Sequence, residues 1–217
     1  CGWGSLTFFM AQKFPKAKIT AVSNSNDQRK FIENKCKQKG IENIHVITCD
    51  MNDFDTDKKF DRVVSIEMFE HMRNYKLLLN KISNWLNDSG KLFIHIFSHN
   101  SMVYPYEDNG PGDWMSREFF SGGLMPSHNL LLNFQDDLKI EKHWKVSGMH
   151  YSLTSYAWLD QMDSNRTRIL KIFDKAYGSN VSKVWFHRWR IFFLACAVMF
   201  GMRSGTEWGV SHYRFRK

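Results

Sequence analysis

The stretch SIEMFEHM, residues 65–72, holds Glu67, Glu70 and His71 within little more than one helical turn's length of chain. A histidine titrating near neutral pH can take a proton, and a carboxylate beside it can attract a cation and orient the ring. The grouping could therefore handle a cationic substrate. It also has a plainer use, because Glu is favoured in the first turn of a helix and EHM could simply begin one.

Three other polar clusters precede it. GWG supplies Gly2 and Gly4, VSNSNDQ supplies Asn24, Ser25 and Gln28, and CDMNDF supplies Asp50 and Met51. A glycine turn lets backbone approach a nucleotide-like ligand, and Asp50 with Met51 could hold an adenine through its exocyclic amine and its apolar face. A lone GxG is equally at home in a structural turn, and Asp50 could merely cap a helix.

These clusters need elements to position them. Periodicity predicts helices over Ser5–Lys13, Asp27–Lys39 and Tyr75–Leu86, and strands over Lys18–Ser23, Ile44–Asp50, Phe60–Met68 and Gly90–His99. Such alternation implies a parallel, doubly wound α/β sheet, and each cluster then falls at a strand's carboxyl end, where ligands of this architecture bind. Beyond His99 the texture changes to glycine, proline and aromatic residues. Helical stretches follow over Thr154–Tyr177 and Val181–Met202, and strands over Leu138–Gly148 and Glu207–Lys217 are expected at the sheet's edge. The whole is read as one domain: a core over 1–99, an aromatic helical cap with late core elements over 100–205, and a final edge strand over 206–217.

The opening glycine turn has no strand before it, and the chain does not begin with Met. A first strand and an N-terminal helical region are accordingly expected to be missing.

Composition narrows the partners. Thirty Lys and Arg against 22 Asp and Glu give a net charge of +8, but the basic residues are scattered without a run of five. A solvated basic surface is expected, with no nucleic acid as partner. Cys1, Cys36, Cys49 and Cys196 lack metal-ligand spacing, so neither a metal nor a disulfide framework is expected. The longest apolar run, residues 191–202, is too short to span a bilayer, and the cytoplasm is the expected compartment.

CGWG, AVSNSNDQ, CDMNDF and SIEMFEHM together resemble the S-adenosylmethionine-dependent methyltransferases of the cyclopropane-fatty-acid synthase superfamily. The longer segments DWMSREFFSGGLMPSHNLLLNFQDDL, HWKVSGMHYSLTSYAWL and GTEWGVSHYRFRK are similar to its alkaloid-methylating branch of coclaurine N-methyltransferase-like enzymes. The resemblance implies a Rossmann-like methyltransferase fold with S-adenosyl-L-methionine as cofactor, held by Gly2, Gly4, Asn24, Ser25, Gln28, Asp50 and Met51. Where most nucleotide sites of this architecture carry a ribose-binding acid, this chain has Asn24 and Ser25, as the superfamily does.

The resemblance also assigns Glu67, Glu70 and His71 to catalysis. An alkylammonium has no lone pair, so an amine must be bound or made neutral before it can displace a methyl group from a sulfonium. In the superfamily's cyclopropane synthases, residues matching Glu70 and His95 hold a bicarbonate together with a tyrosine. Phe192 stands in the tyrosine's place, which favours methylation of a small aromatic or benzylisoquinoline-like amine. His95, Trp114, Trp189 and Phe192 are the substrate-side candidates, although a strand histidine and cap aromatics also serve as ordinary packing. A lipid-modifying methyltransferase or cyclopropane synthase, and an inactive fragment or binding module, are the alternatives.

Overall fold

A computed structural model describes all 217 residues. The chain divides into two compact units, residues 1–58 and 59–217.

In the first unit, helix α1 (Ser5–Lys13) leads to strand β1 (Ile19–Ser23), helix α2 (Asn26–Lys39) and strand β2 (Ile44–Thr48). The two strands pair in parallel, from Ile19 opposite Ile44 to Ser23 opposite Thr48. Gly4 starts α1 with φ of +82°, and a Cβ there would sit 2.9 Å from Ile32. Both the backbone conformation and the close approach therefore require glycine. Ser25 caps α2 by accepting a hydrogen bond from the Gln28 backbone N–H at 3.3 Å, and Gly40 ends it in the left-handed region. Phe8, Ile32 and Val46 form the small core that holds helices to strands.

The second unit contains β3 (Phe60–Ile66), α3 (Tyr75–Trp85), β4 (Leu86–His99), β5 (Tyr104–Pro105), α4 (Trp114–Phe119), β6 (Leu124–Met125), β7 (Lys139–Ser147), α5 (Gly148–Ser164), α6 (Arg166–Tyr177), α7 (Ser182–Gly205) and β8 (Trp208–Arg216). Its sheet runs β3-β4-β8-β7, with β3 parallel to β4 and the β4-β8 and β8-β7 pairs antiparallel. Leu78, Leu79, Ile82 and Trp85 on α3 are buried, as are Leu92, Ile94 and Ile96 on β4. They form a stripe and an alternating row, the periods of a helix and a strand with one face against a core.

Three expectations are corrected here. The sheet is mixed where an all-parallel one was expected, because the last two strands arrive by antiparallel return. The final strand, expected at the edge, is interior: β8 is hydrogen-bonded to β4 on one side and β7 on the other. The continuous helical stretch from Thr154 is two helices, broken at Asn165, and the first begins at Gly148. A Cβ at Gly148 would strike the backbone carbonyls of Trp208 and Phe200. The junction of strand and helix is thus packed backbone to backbone.

Candidate functional site

Within the first unit, the polar residues gather where β1 and β2 end. Ser23 Oγ donates to Gln28 Oε1 at 2.5 Å, and Ser25 N–H donates to Ser23 Oγ at 3.2 Å. The β1 loop and the start of α2 are thereby tied into one rigid corner. Cys1 brings the glycine turn to the same strand, its backbone nitrogen donating to the Val22 carbonyl at 2.8 Å. Gly2 has φ of +52° and nothing within 4 Å of a Cβ position, so its backbone faces open space. Asp50 follows β2, with Oδ1 accepting from the Asn52 backbone N–H at 2.8 Å and the Asn52 amide at 2.9 Å. Its carboxylate is exposed beside a half-buried Met51, and Asn24 is exposed after β1. An acceptor, a thioether and bare backbone along the carboxyl ends of two parallel strands fit a nucleoside.

In the second unit, the chain leaves β3 through Glu67, whose φ of +51° is unusual for a residue with a side chain. A single turn of 3₁₀ helix, Phe69–His71, follows. Phe69 is wholly buried and stacks with Tyr75, whose hydroxyl donates to the Phe69 carbonyl at 3.0 Å. This anchor holds Glu70 in the interior, 2% exposed, and leaves His71 exposed on the turn.

Glu70 lies against Glu67. Burial, and then the Glu67 charge, push its carboxyl up to about 9, so Glu70 carries a proton at neutral pH. On the other side of Glu67, Oε1 lies 2.8 Å from His95 Nε2. The Tyr151 hydroxyl approaches Oε2 at 3.5 Å. His95 reaches this position because Ile66 pairs with it across β3 and β4, and Glu67 N–H donates to its carbonyl at 3.0 Å. Its other nitrogen, Nδ1, is 2.9 Å from His212 Nε2 on β8. Burial, foremost, raises the phenols of Tyr106 and Tyr151, and the charges of Glu67 and Glu70 raise them further.

Aromatic rings line the cap. Phe119 stacks on Phe192 with centroids 4.5 Å apart and meets Trp189 edge-on at 4.8 Å and Trp114 at 6.0 Å. Phe192 joins Tyr106, Phe120 and Tyr151 against the core of Phe97, Met125, Cys196 and Phe200. Ring faces attract alkylammonium groups, and a carboxylate nearby adds direct charge attraction.

The structure therefore joins Glu67, Glu70 and His95, and separately gathers Trp114, Trp189 and Phe192 through Phe119. His71 is exposed on the same turn as Glu70 and makes no side-chain hydrogen bond to either carboxyl group. Sequence reasoning missed Tyr151, Tyr106 and His212. Only the β4-β8 register, with His95 opposite His212, brings the last of these to the site.

The mycolic acid cyclopropane synthetase family model matches residues 1–207. Among curated proteins, the chain is 37% identical to (S)-coclaurine N-methyltransferase of Papaver somniferum, covering 100% of this chain and 63% of that protein. It is likewise 37% identical to pavine N-methyltransferase of Thalictrum flavum subsp. glaucum, over 100% of this chain and 62% of the other. Among solved structures, a coclaurine N-methyltransferase bound to N-methylheliamine and SAH superposes with a TM-score of 0.94 at 38% identity, over 100% of this chain and 65% of that one. The chain thus spans somewhat less than two thirds of the relatives that it matches.

Proposed function

Because the chain belongs to the mycolic acid cyclopropane synthetase family, we propose that it methylates the nitrogen of a small aromatic or benzylisoquinoline-like amine, with S-adenosyl-L-methionine as donor. The observation that carries this reading is the half-buried Glu67 carboxylate, hydrogen-bonded to His95 and backed by the protonated Glu70. With aromatic rings nearby, it is a receptor for an organic cation and an acceptor for that cation's proton. The named ligands of the relatives agree: coclaurine and pavine enzymes are N-methyltransferases, and the solved one holds N-methylheliamine.

Gly2, Gly4, Asn24, Ser25, Gln28, Asp50 and Met51 would hold the cofactor, whose contribution is an electrophilic methyl group on a sulfonium. The protein's own residues do the rest. Glu67 binds the ammonium and accepts its proton, leaving the nitrogen lone pair free. Glu70, neutral, donates to Glu67 and prevents two carboxylates from repelling one another in a dry site. Trp114, Trp189 and Phe192 flatten the substrate against the cap, and water excluded by these rings strengthens the charge attraction.

Radiolabelled S-adenosylmethionine offered with benzylisoquinoline amines in one reaction and phospholipid vesicles in another tests the reading. Label in the amine is expected. Label in the acyl chains would replace the reading with lipid modification, and cofactor binding without transfer to either would make the protein a binding module.

A further inference from the structure

Two histidines of β4 face a carboxylate through Nε2: His95 lies 2.8 Å from Glu67 Oε1, and His99 lies 3.1 Å from Glu207 Oε1. A carboxylate accepts and cannot donate, so each Nε2 carries the proton, and the Nδ1 of each neutral ring must be an acceptor. At His99 the backbone supplies the donors. Where β4 ends, the N–H groups of Ser101 and Met102 turn back to donate to His99 Nδ1 at 3.0 and 2.8 Å. His95 sits four residues earlier, in mid-strand between β3 and β8, where backbone N–H groups are taken up by the two ladders. Its donor has to come from a side chain. His212 Nε2, 2.9 Å from His95 Nδ1, fills that place.

We propose that His212 is a positioning residue of the amine site: by donating to His95 Nδ1 it fixes the tautomer and ring rotation in which His95 donates to Glu67, and so aims the carboxylate that receives the ammonium. The inference rests on the amine-methylating reading above. Donation runs in one direction, from His212 to His95 and from His95 to Glu67, because the chain of bonds ends on an acceptor. Which nitrogen of a histidine holds the proton is set by the bond that the other nitrogen makes. Ring rotation is fixed by the same pair of bonds. Turning the His95 ring over would present Cε1 to Glu67 and Cδ2 to His212, losing both. With Oε1 held by His95, the second oxygen of Glu67, 3.5 Å from the Tyr151 hydroxyl, keeps one direction toward the substrate.

The surroundings of His212 suit a fixed donor. His95 and His212 occupy directly paired positions of β4 and β8, so their side chains share one face of the sheet, with ring centroids 4.9 Å apart. Burial, and then His95, hold His212 below the usual imidazole range. The ring is therefore neutral, with a single N–H to give, and the geometry puts that N–H on Nε2. Phe93, two residues before His95 on the same strand, flanks the His212 ring at 5.3 Å, and Trp144 stands at the paired position on β7. Packing thus holds the ring in place while its one proton points at His95.

Nitrogen-15 NMR of the unaltered protein is the first test, and it needs neither a variant nor turnover. Both rings should carry their proton on Nε2, with His95 Nδ1 as a hydrogen-bonded acceptor. A proton on His95 Nδ1 would overturn the proposal. Two variants then separate donation from packing. His212→Phe keeps a ring beside Phe93 and removes the donor, whereas the His212→Gln amide can still donate to His95 Nδ1. In the Phe variant, the KM for a benzylisoquinoline amine should rise about 10-fold, the scale of one hydrogen bond to a charged group, while S-adenosylmethionine affinity holds. The single His95 tautomer should be lost with it. The Gln variant should restore both. Equal losses in the two variants would make His212 a packing residue only, and an unchanged KM in the Phe variant would equally sink the idea. If the unaltered protein methylates no amine, the proposed function fails by itself, and the NMR result still decides whether His212 orients His95.

Discussion

Glu67 leaves β3 in the left-handed region, with φ of +51°, and from there places Oε1 2.8 Å from Nε2 of His95. A residue with a Cβ costs about 1 kcal/mol or more in this conformation. The strain aims the carboxylate along the sheet face. Glu67→Gly should therefore leave the unfolding midpoint unchanged or higher while amine methylation drops at least about 100-fold. A clear loss of stability, followed by thermal melts, would show that the carboxylate holds the fold instead.

Glu70 makes a stability prediction with a definite sign. Its carboxyl is raised from 4.5 to about 9 in the folded protein, so folding is helped below 4.5 and the help fades as pH rises toward 9. Between these values the unfolded chain has lost a proton that the folded chain keeps. Glu70→Gln, neutral throughout, should gain stability relative to the parent as pH rises, by about 1–3 kcal/mol near pH 8. Urea titrations at pH 5 and pH 8 measure the difference.

The stacked His128 and His143 rings, 3.9 Å apart, push in the other direction. Burial, then His143, lowers His128 from 6.5 to about 4. As pH falls through this interval the unfolded chain takes up a proton that the folded one refuses, and stability declines. His143→Phe removes one titrating ring and should flatten the acid limb of a denaturation profile measured from pH 7 to pH 4. Glu70 opposes this slope between pH 4.5 and 6.5, so the Glu70→Gln background should show it more steeply.

Gly148→Ala should be among the most damaging single changes. Its Cβ meets two backbone carbonyls, those of Trp208 and Phe200, and neither can rotate away. A loss of about 3 kcal/mol or more, or insoluble protein, is expected. Soluble expression and melting temperature check it.

Asp50 separates local structure from binding. Its Oδ1 is occupied by Asn52. Asp50→Ala should weaken S-adenosylmethionine affinity by about 1–3 kcal/mol in calorimetry, through a lost hydrogen bond. Unchanged affinity would leave Asp50 as the acceptor that shapes this turn.

Local signals account for what could be read in advance. The Gly4 turn, the Ser25 cap and the Gly40 stop act within a few residues of themselves, and the first unit's helices and strands fall within about two residues of their expected bounds. The buried stripe of α3 and the alternation of β4 were legible for the same reason. Alternation reports which face a residue occupies and is silent on which strand lies beside it. β8 thus looked like an edge and proved interior.

The site divides along the same line. Glu67 and Glu70 announced themselves by type and spacing, and the aromatic cap by composition. Their neighbour His71 looked equally placed, but the buried Phe69 sets the rotation of a three-residue turn, and that rotation hides Glu70 while exposing His71. Partnership with Glu67 passed to His95, 28 residues away, through the parallel register of β3 and β4, and onward to His212 through the antiparallel register of β4 and β8. The sequence by itself determined the elements and the chemical groups, because propensity, capping and periodicity are local. Tertiary structure decided which groups meet, because strand register is settled by burial summed over the whole sheet.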